Sequence, residues 1–236
     1  MRVKSVLAGF VAAGLLLGQA LSARAEGAGL IVVELFTSQG CSSCPPADAL
    51  LNELTERHDI LPLALHVDYW DYIGWADDFA RPEHTARQKA YAHVAGSRTI
   101  YTPQMVVAGT EQIVGTRPME LADALMRHQS AGQPVRLTAQ RANETIIVTA
   151  PALADAGRYR VDLVRFVKER KVKITRGENA GKTLRYTNIV TDWETLSAWT
   201  GAAPLALDLV LSGPEQAVVI VQEDGFGPIV GAVQLP

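Results

Sequence analysis

The chain has 236 residues, 48% of them hydrophobic and 20% charged, with a formal net charge of −3. That length buries one or two sizeable cores. The near-neutral charge and the lack of a basic stripe argue against a nucleic-acid surface, and two cysteines are too few for a disulfide framework.

Arg2 and Lys4, the apolar run Val6–Leu17 and the pattern Ala23-Arg24-Ala25 together predict a secretory leader, residues 1–25, cut after Ala25. The run of about a dozen apolar residues is short for a membrane span. Cleavage removes three positive charges and no negative ones, moving the net charge from −3 to −6 over 211 remaining residues. The expectation is a periplasmic or secreted protein with no membrane span after cleavage, in an oxidising compartment.

Leu30–Phe36 is an apolar run of strand character, followed by Cys41-Ser42-Ser43-Cys44. Ala47–His58 carries Leu50, Leu51 and Leu54 at helical spacing. Ile60–Val67 predicts a second strand, and Phe79–Val94 a helix with Arg87, Gln88 and Lys89 on a solvated face. Gln104–Ala108 and Gln112–Gly115 are short strands about Gly109-Thr110, and Pro118–His128 a helix opening on proline. The order β-α-β-α-β-β-α implies an α/β unit with parallel strand pairs. Gly132-Gln133-Pro134 breaks the last helix. Beyond it, seven short strand patterns between residues 135 and 233 suggest an antiparallel sandwich-like domain. The expected division is therefore 26–132 and 133–236.

The chemistry centres on Cys41 and Cys44, a close thiol pair between a strand and a helix. A bridge closing so short a loop stabilises little by chain entropy, so its value is chemical. The expected roles are Cys41 as the outer nucleophile and Cys44 as the resolving thiol. Pro45 and Pro46 follow at once. They favour a helix starting at Pro45 with Cys44 as its cap, which shifts the dipole's strongest field toward Cys44.

Pro103, in Tyr101-Thr102-Pro103-Gln104, precedes a buried strand. A cis Thr102–Pro103 bond would set Thr102 beside the thiols, where its backbone can pair with an extended peptide. Glu34 is the one charge in the first strand. Buried beneath the pair it would accept a proton from Cys44, and at a strand edge it would simply reach water. Tyr69, Trp70 and Trp75 lie in a loop after the second strand, either as a peptide-docking surface or as a cover over the core. His66 and Asp68 either join the thiols around Cu(I) or Zn(II), or are ordinary strand-end residues. Gly177-Glu178-Asn179-Ala180-Gly181-Lys182-Thr183 has three residues between its glycines where a phosphate loop needs four, so no nucleotide is expected.

Strand, CxxC, helix and a later T-P-Q entering a strand resemble thioredoxin and glutaredoxin over residues 30–130. That resemblance implies a thioredoxin-like fold with Pro103 as the cis-proline facing the dithiol. ELFTSQGCSSCPPAD, LHVDYWDYIGW, YTPQMVVAG and RGENAGKTLRYTNIV resemble an exported bacterial family of thioredoxin-like fold and no settled function, across nearly the whole mature chain. The resulting expectation is thiol–disulfide exchange with protein dithiols and a redox partner, without an organic cofactor. The alternatives are a Cu(I) or Zn(II) module on the same thiols and a binding protein whose disulfide is only structural.

Overall fold

A computed structural model describes residues 25–26 and 29–236. The expected leader lies outside the described residues except for Ala25, which opens the short strand β1 (Ala25–Glu26). Next come β2 (Ile31–Thr37), α1 (Pro45–Leu54), β3 (Ile60–His66), α2 (Pro82–Val94), β4 (Gln104–Val107), β5 (Glu111–Val114) and α3 (Pro118–Ala131). Each helix has proline in its first turn, where the missing N–H costs nothing and the fixed φ suits the helix. After α3 only strands follow: β6 (Thr138–Ala142), β7 (Thr145–Ala150), β8 (Tyr159–Lys173), β9 (Thr183–Trp199), β10 (Leu205–Val210), β11 (Gln216–Glu223) and β12 (Ile229–Gln234).

The protein is a mixed α/β structure built on one eight-stranded sheet, ordered β12-β11-β8-β9-β3-β2-β4-β5. β2 and β3 run parallel, and β3 meets β9 in parallel at Ala64 and Ile189. Strands from both sides of Gly132 therefore share one hydrogen-bonded sheet. β8 and β9 reach 15 and 17 residues, much longer than the sequence pattern implies. Their outer halves are half-exposed and charged, so no apolar periodicity marks them.

β2 is buried along its whole length, as a strand covered on both faces must be. Ile31, Val33 and Leu35 pack against α1 and α3 through Ala47, Leu51, Leu121 and Leu125. Val32 and Phe36 face the other way, toward Leu63, Tyr91, Phe166, Val218 and Ile220. A second sheet, ordered β1-β6-β7-β10, packs through Ile146 and Val148 onto Val161, Val219 and Val221. Among the described residues no helix is long and apolar enough to cross a membrane.

Candidate functional site

β2 delivers the chain into the turn Ser38-Gln39-Gly40, where Cys41 N donates to Ser38 O at 3.2 Å and Cys44 N to Cys41 O at 3.3 Å. Cys44 is the N-cap of α1, as the Pro45-Pro46 pair implies. Cys41 and Cys44 are joined, with S–S 2.11 Å and Cα–Cα 5.4 Å. Pro45 and Pro46 carry no N–H, and the Ala47 and Asp48 amides already donate to Cys44 O. The first turn thus offers the sulfurs a dipole but no free amide donor. Ser43 Oγ, 3.4 Å from Cys41 Sγ, is the nearby hydroxyl. Cys41 is 3% exposed and Cys44 0%.

The Thr102–Pro103 bond is cis. A Cβ on Gly115 would come within 3.0 Å of both Pro103 and Ala47, so the proline loop packs against the first turn of α1. Trp70 joins the pieces: its backbone and Cβ approach Gly40, and its Nε1 donates to Thr102 Oγ1 at 2.7 Å. Trp75 Nε1 donates to Gln39 Oε1 at 2.7 Å, and Tyr69 OH to Gln88 Oε1 at 3.1 Å. All three rings are half-buried; Trp70 and Trp75 are tied by their indole N–H groups to the loops around the disulfide, and Tyr69 to α2. Burial, partly offset by Gln88 and Thr102, pushes the Tyr69 hydroxyl up to about 12.

Of the expected solvated face only Lys89 is exposed; Arg87 and Gln88 are buried, as is Tyr91 one turn on. Gln88 Nε2 props the proline loop by donating to Tyr101 O at 2.7 Å and Gln104 Oε1 at 2.8 Å. Arg87 donates to Glu34 through Nε at 2.5 Å and Nη2 at 3.2 Å, and to Gln222 Oε1 at 3.1 Å. Tyr91 OH donates to Glu34 Oε2 at 2.6 Å. The guanidinium also lies 3.7 Å from the centre of the Trp193 ring. Glu34 shares its face of β2 with Val32 and Phe36, whereas α1 packs on the opposite face. Its carboxylate is therefore neither at a solvent edge nor beneath Cys44; it is the anion of a closed buried network.

A second buried carboxyl lies on α1 itself. Asp48 lies one helical turn after Cys44, on the same face of α1. It is buried, takes a 2.8 Å hydrogen bond from Thr37 Oγ1 on Oδ1, and leaves Oδ2 without a partner among the described residues. Burial raises its pKa to about 7, with His66 and Thr37 pulling it back down and Asp77 pushing it up. His66 stands opposite Thr37 in the β2–β3 register. Its Nδ1 is 2.7 Å from Asp77 Oδ2, its ring meets Phe79 and Tyr186 edge-on, and its Nε2 has no partner among the described residues. Burial pushes the Asp77 carboxyl up, but His66 and the Gln39 and Phe79 amides outweigh it and hold it below the usual range. Tyr186, on β9, likewise leaves its buried hydroxyl unpaired. Asp68 takes a 2.6 Å bond from Thr85. His66 and Asp68 thus turn to partners other than the thiols, and no three potential metal-ligating side chains converge among the described residues. A cleft of about 300 Å³, lined by Leu30, Arg57, His58, Pro62, Lys168 and Asn188, opens at the opposite end of β2 and β3 and holds none of this chemistry.

Asp48 escaped the sequence reading, and Asn179 entered it only as part of the Gly177–Thr183 segment. Asp48 had a weak signal, an acid one turn beyond Cys44 among the apolar positions of Ala47 and Leu51. Asn179 sits in the hairpin tip between β8 and β9, and its Nδ2 donates at 2.9 Å to both Gln39 O and Cys41 O. Sequence spacing carried no hint of that contact.

The family model described as a protein of unknown function (DUF1223) matches residues 32–222, which span the disulfide, the proline loop and this hairpin. The chain belongs to the DUF1223 family. It is 32% identical to a structural-genomics protein from Agrobacterium tumefaciens whose crystal structure superposes with TM-score 0.75, covering 89% of this chain and 96% of that one. HBP35 of Porphyromonas gingivalis is 15% identical, with TM-score 0.59 over 87% of this chain and 74% of that one, a likeness of fold alone. No curated protein matches this DUF1223 member significantly.

Proposed function

We propose that residues 26–132 form a thioredoxin-like unit and that the Cys41–Cys44 pair exchanges electrons with protein thiols and disulfides outside the cytoplasm. The location rests on the leader-like residues 1–25. The observation that carries the exchange reading is the disulfide at the mouth of α1 with the unsatisfied carboxyl of Asp48 one turn behind it. Pro103 and Thr102 supply an edge for an extended partner segment; Trp70 holds Thr102 directly, Tyr69 acts through Gln88, and Trp75 holds the turn before Cys41.

In the reducing direction, the Cys41 thiolate attacks a partner disulfide, forming a mixed disulfide and releasing one partner thiolate. Cys44 then passes its proton to Asp48, and the new thiolate attacks the Cys41 sulfur. The Cys41–Cys44 bond forms, the second partner sulfur leaves as a thiolate, and two electrons have moved to the partner. The oxidising direction is the reverse, with Asp48 returning the proton to Cys44. A carboxyl poised near neutrality suits both roles.

The near-complete burial of the pair favours a second reading, a structural disulfide. Equilibration with glutathione and dithiothreitol buffers separates the two. Exchange predicts a potential in the range of about −120 to −270 mV and a partner trapped as a mixed disulfide by Cys44→Ser. A potential below about −300 mV with no trapped partner makes the bridge structural.

A further inference from the structure

The hairpin Ile174–Lys182 reaches from the far half of the sheet to the disulfide. It is closed on itself by Ile174 N to Lys182 O and Gly181 N to Ile174 O, each 2.9 Å. Between Arg176 and Lys182 every residue is exposed except Asn179, which is 1% exposed. Its Nδ2 holds the carbonyls of Gln39 and Cys41, and its Oδ1 takes a 2.9 Å bond from Lys182 Nζ. Gly177 lies on Gly74 and Trp75: a Cβ at Gly74 would come 3.7 Å from the Gly177 Cα, and one at Gly177 3.1 Å from the Trp75 Cβ. The tip therefore touches both the turn that carries Cys41 and the aromatic loop beside it.

We propose that the Ile174–Lys182 hairpin is a gate over the Cys41–Cys44 bond, latched by Asn179, which decides what reaches the sulfurs. A nucleophile must approach one sulfur along the S–S axis, and at 3% exposure Cys41 offers almost no such approach. The latch is small. Two side-chain-to-backbone bonds on an otherwise exposed loop are a contact of the size that opens locally without unfolding the sheet. A protein partner that displaces the tip gains the disulfide; a small thiol must wait for spontaneous opening. The gate takes its purpose from the exchange reading, but its physical existence is measured without any partner.

The test is the rate at which a phosphine reductant cleaves the bond in the oxidised full-length mature protein. The phosphine attacks one sulfur, the other leaves as a thiolate, water supplies the oxygen, and two thiols and a phosphine oxide result. Asn179→Ala should be reduced roughly tenfold faster than the natural protein, the size expected for losing about one to two such bonds. Gly177→Ala, strained at φ +75° and crowded by Trp75, should speed it too. In the unsubstituted protein the rate should stay flat through sub-denaturing urea, because opening is local. Three results overturn the gate: wild-type reduction as fast as a free CSSC peptide, a urea dependence that follows global unfolding, or an Asn179→Ala protein that is folded and no faster. If the gate holds but no partner exchanges, the exchange reading alone fails.

Discussion

Two buried polar clusters lie on opposite faces of β2, and they differ in how completely they are satisfied. On one face Glu34, Arg87, Tyr91 and Gln222 hydrogen-bond to one another. On the other, Asp48 Oδ2, His66 Nε2 and Tyr186 OH have no partner among the described residues. A closed network rigidifies and specifies a fold, whereas a buried polar group left unpaired is costly, and a strongly shifted one marks a candidate functional site. Glu34, the acid singled out by its place in the strand, is the fully bonded one and lies on the face of β2 away from α1.

The sharpest way to break this contrast is Arg87→Ala. It strands the Glu34 carboxylate in the core with only Tyr91 as donor, and removing one partner of a buried pair costs about 3–5 kcal/mol. Urea unfolding of the oxidised protein should show that loss, with the pH profile of exchange keeping its shape. A cost below about 1 kcal/mol, as for an exposed pair, would make the network unimportant to the fold.

Asp48→Asn should act in the opposite sense. Asp48 titrates near 7 in the fold and near 4 when unfolded. Between those values the folded state binds the extra proton, so stability falls as pH rises from about 4 to about 7 and is constant above. The groups facing Asp48 are Thr37 from β2, His66 from β3, Asp77 from the following loop and Tyr186 from β9. Replacing the carboxyl should stabilise the protein above pH 7 by about 2–4 kcal/mol. The same change should slow exchange roughly 100-fold and erase an inflection near pH 7. Unchanged kinetics with the stability gain intact would leave Asp48 buried but idle.

How far the sequence reveals this arrangement depends on how local each part is. The strand–helix order, the proline starts of α1 and α3, the thiol pair and the loop before Gln104 were legible because each is written in a few adjacent residues, whereas α2 begins at Pro82 and not at Phe79. The two faces of β2 were not. Glu34 finds its direction through Arg87, 53 positions away, and that arginine is held by Gln222, a further 135 along. Arg87 and Gln88 look solvated in a helical wheel because their partners lie on β4, β9 and β11. Asn179 contacts Gln39 across 140 positions, through a hairpin whose reach follows from two strands of unforeseen length. Pairing between distant polar residues carries no periodicity, so a single chain does not display it.

The smallest effect concerns the rim rather than either cluster. Trp70 Nε1 donates to Thr102 Oγ1 at 2.7 Å and is half-exposed, so Trp70→Phe removes one neutral bond and keeps most of the ring's packing. Such a bond contributes about 1 kcal/mol, and the urea midpoint should fall by no more than that implies. If Trp70 braces the edge on which a partner segment lies, exchange with a protein disulfide should slow two- to fivefold, about 0.4–1 kcal/mol. Reduction by a small phosphine should not change, because that reagent needs no edge. A cost near that of Arg87→Ala would move Trp70 from the rim into the core. Equal slowing of both reagents would mean that the indole shapes the disulfide itself, and the distinction between a rigid interior and an adjustable rim would have to be redrawn.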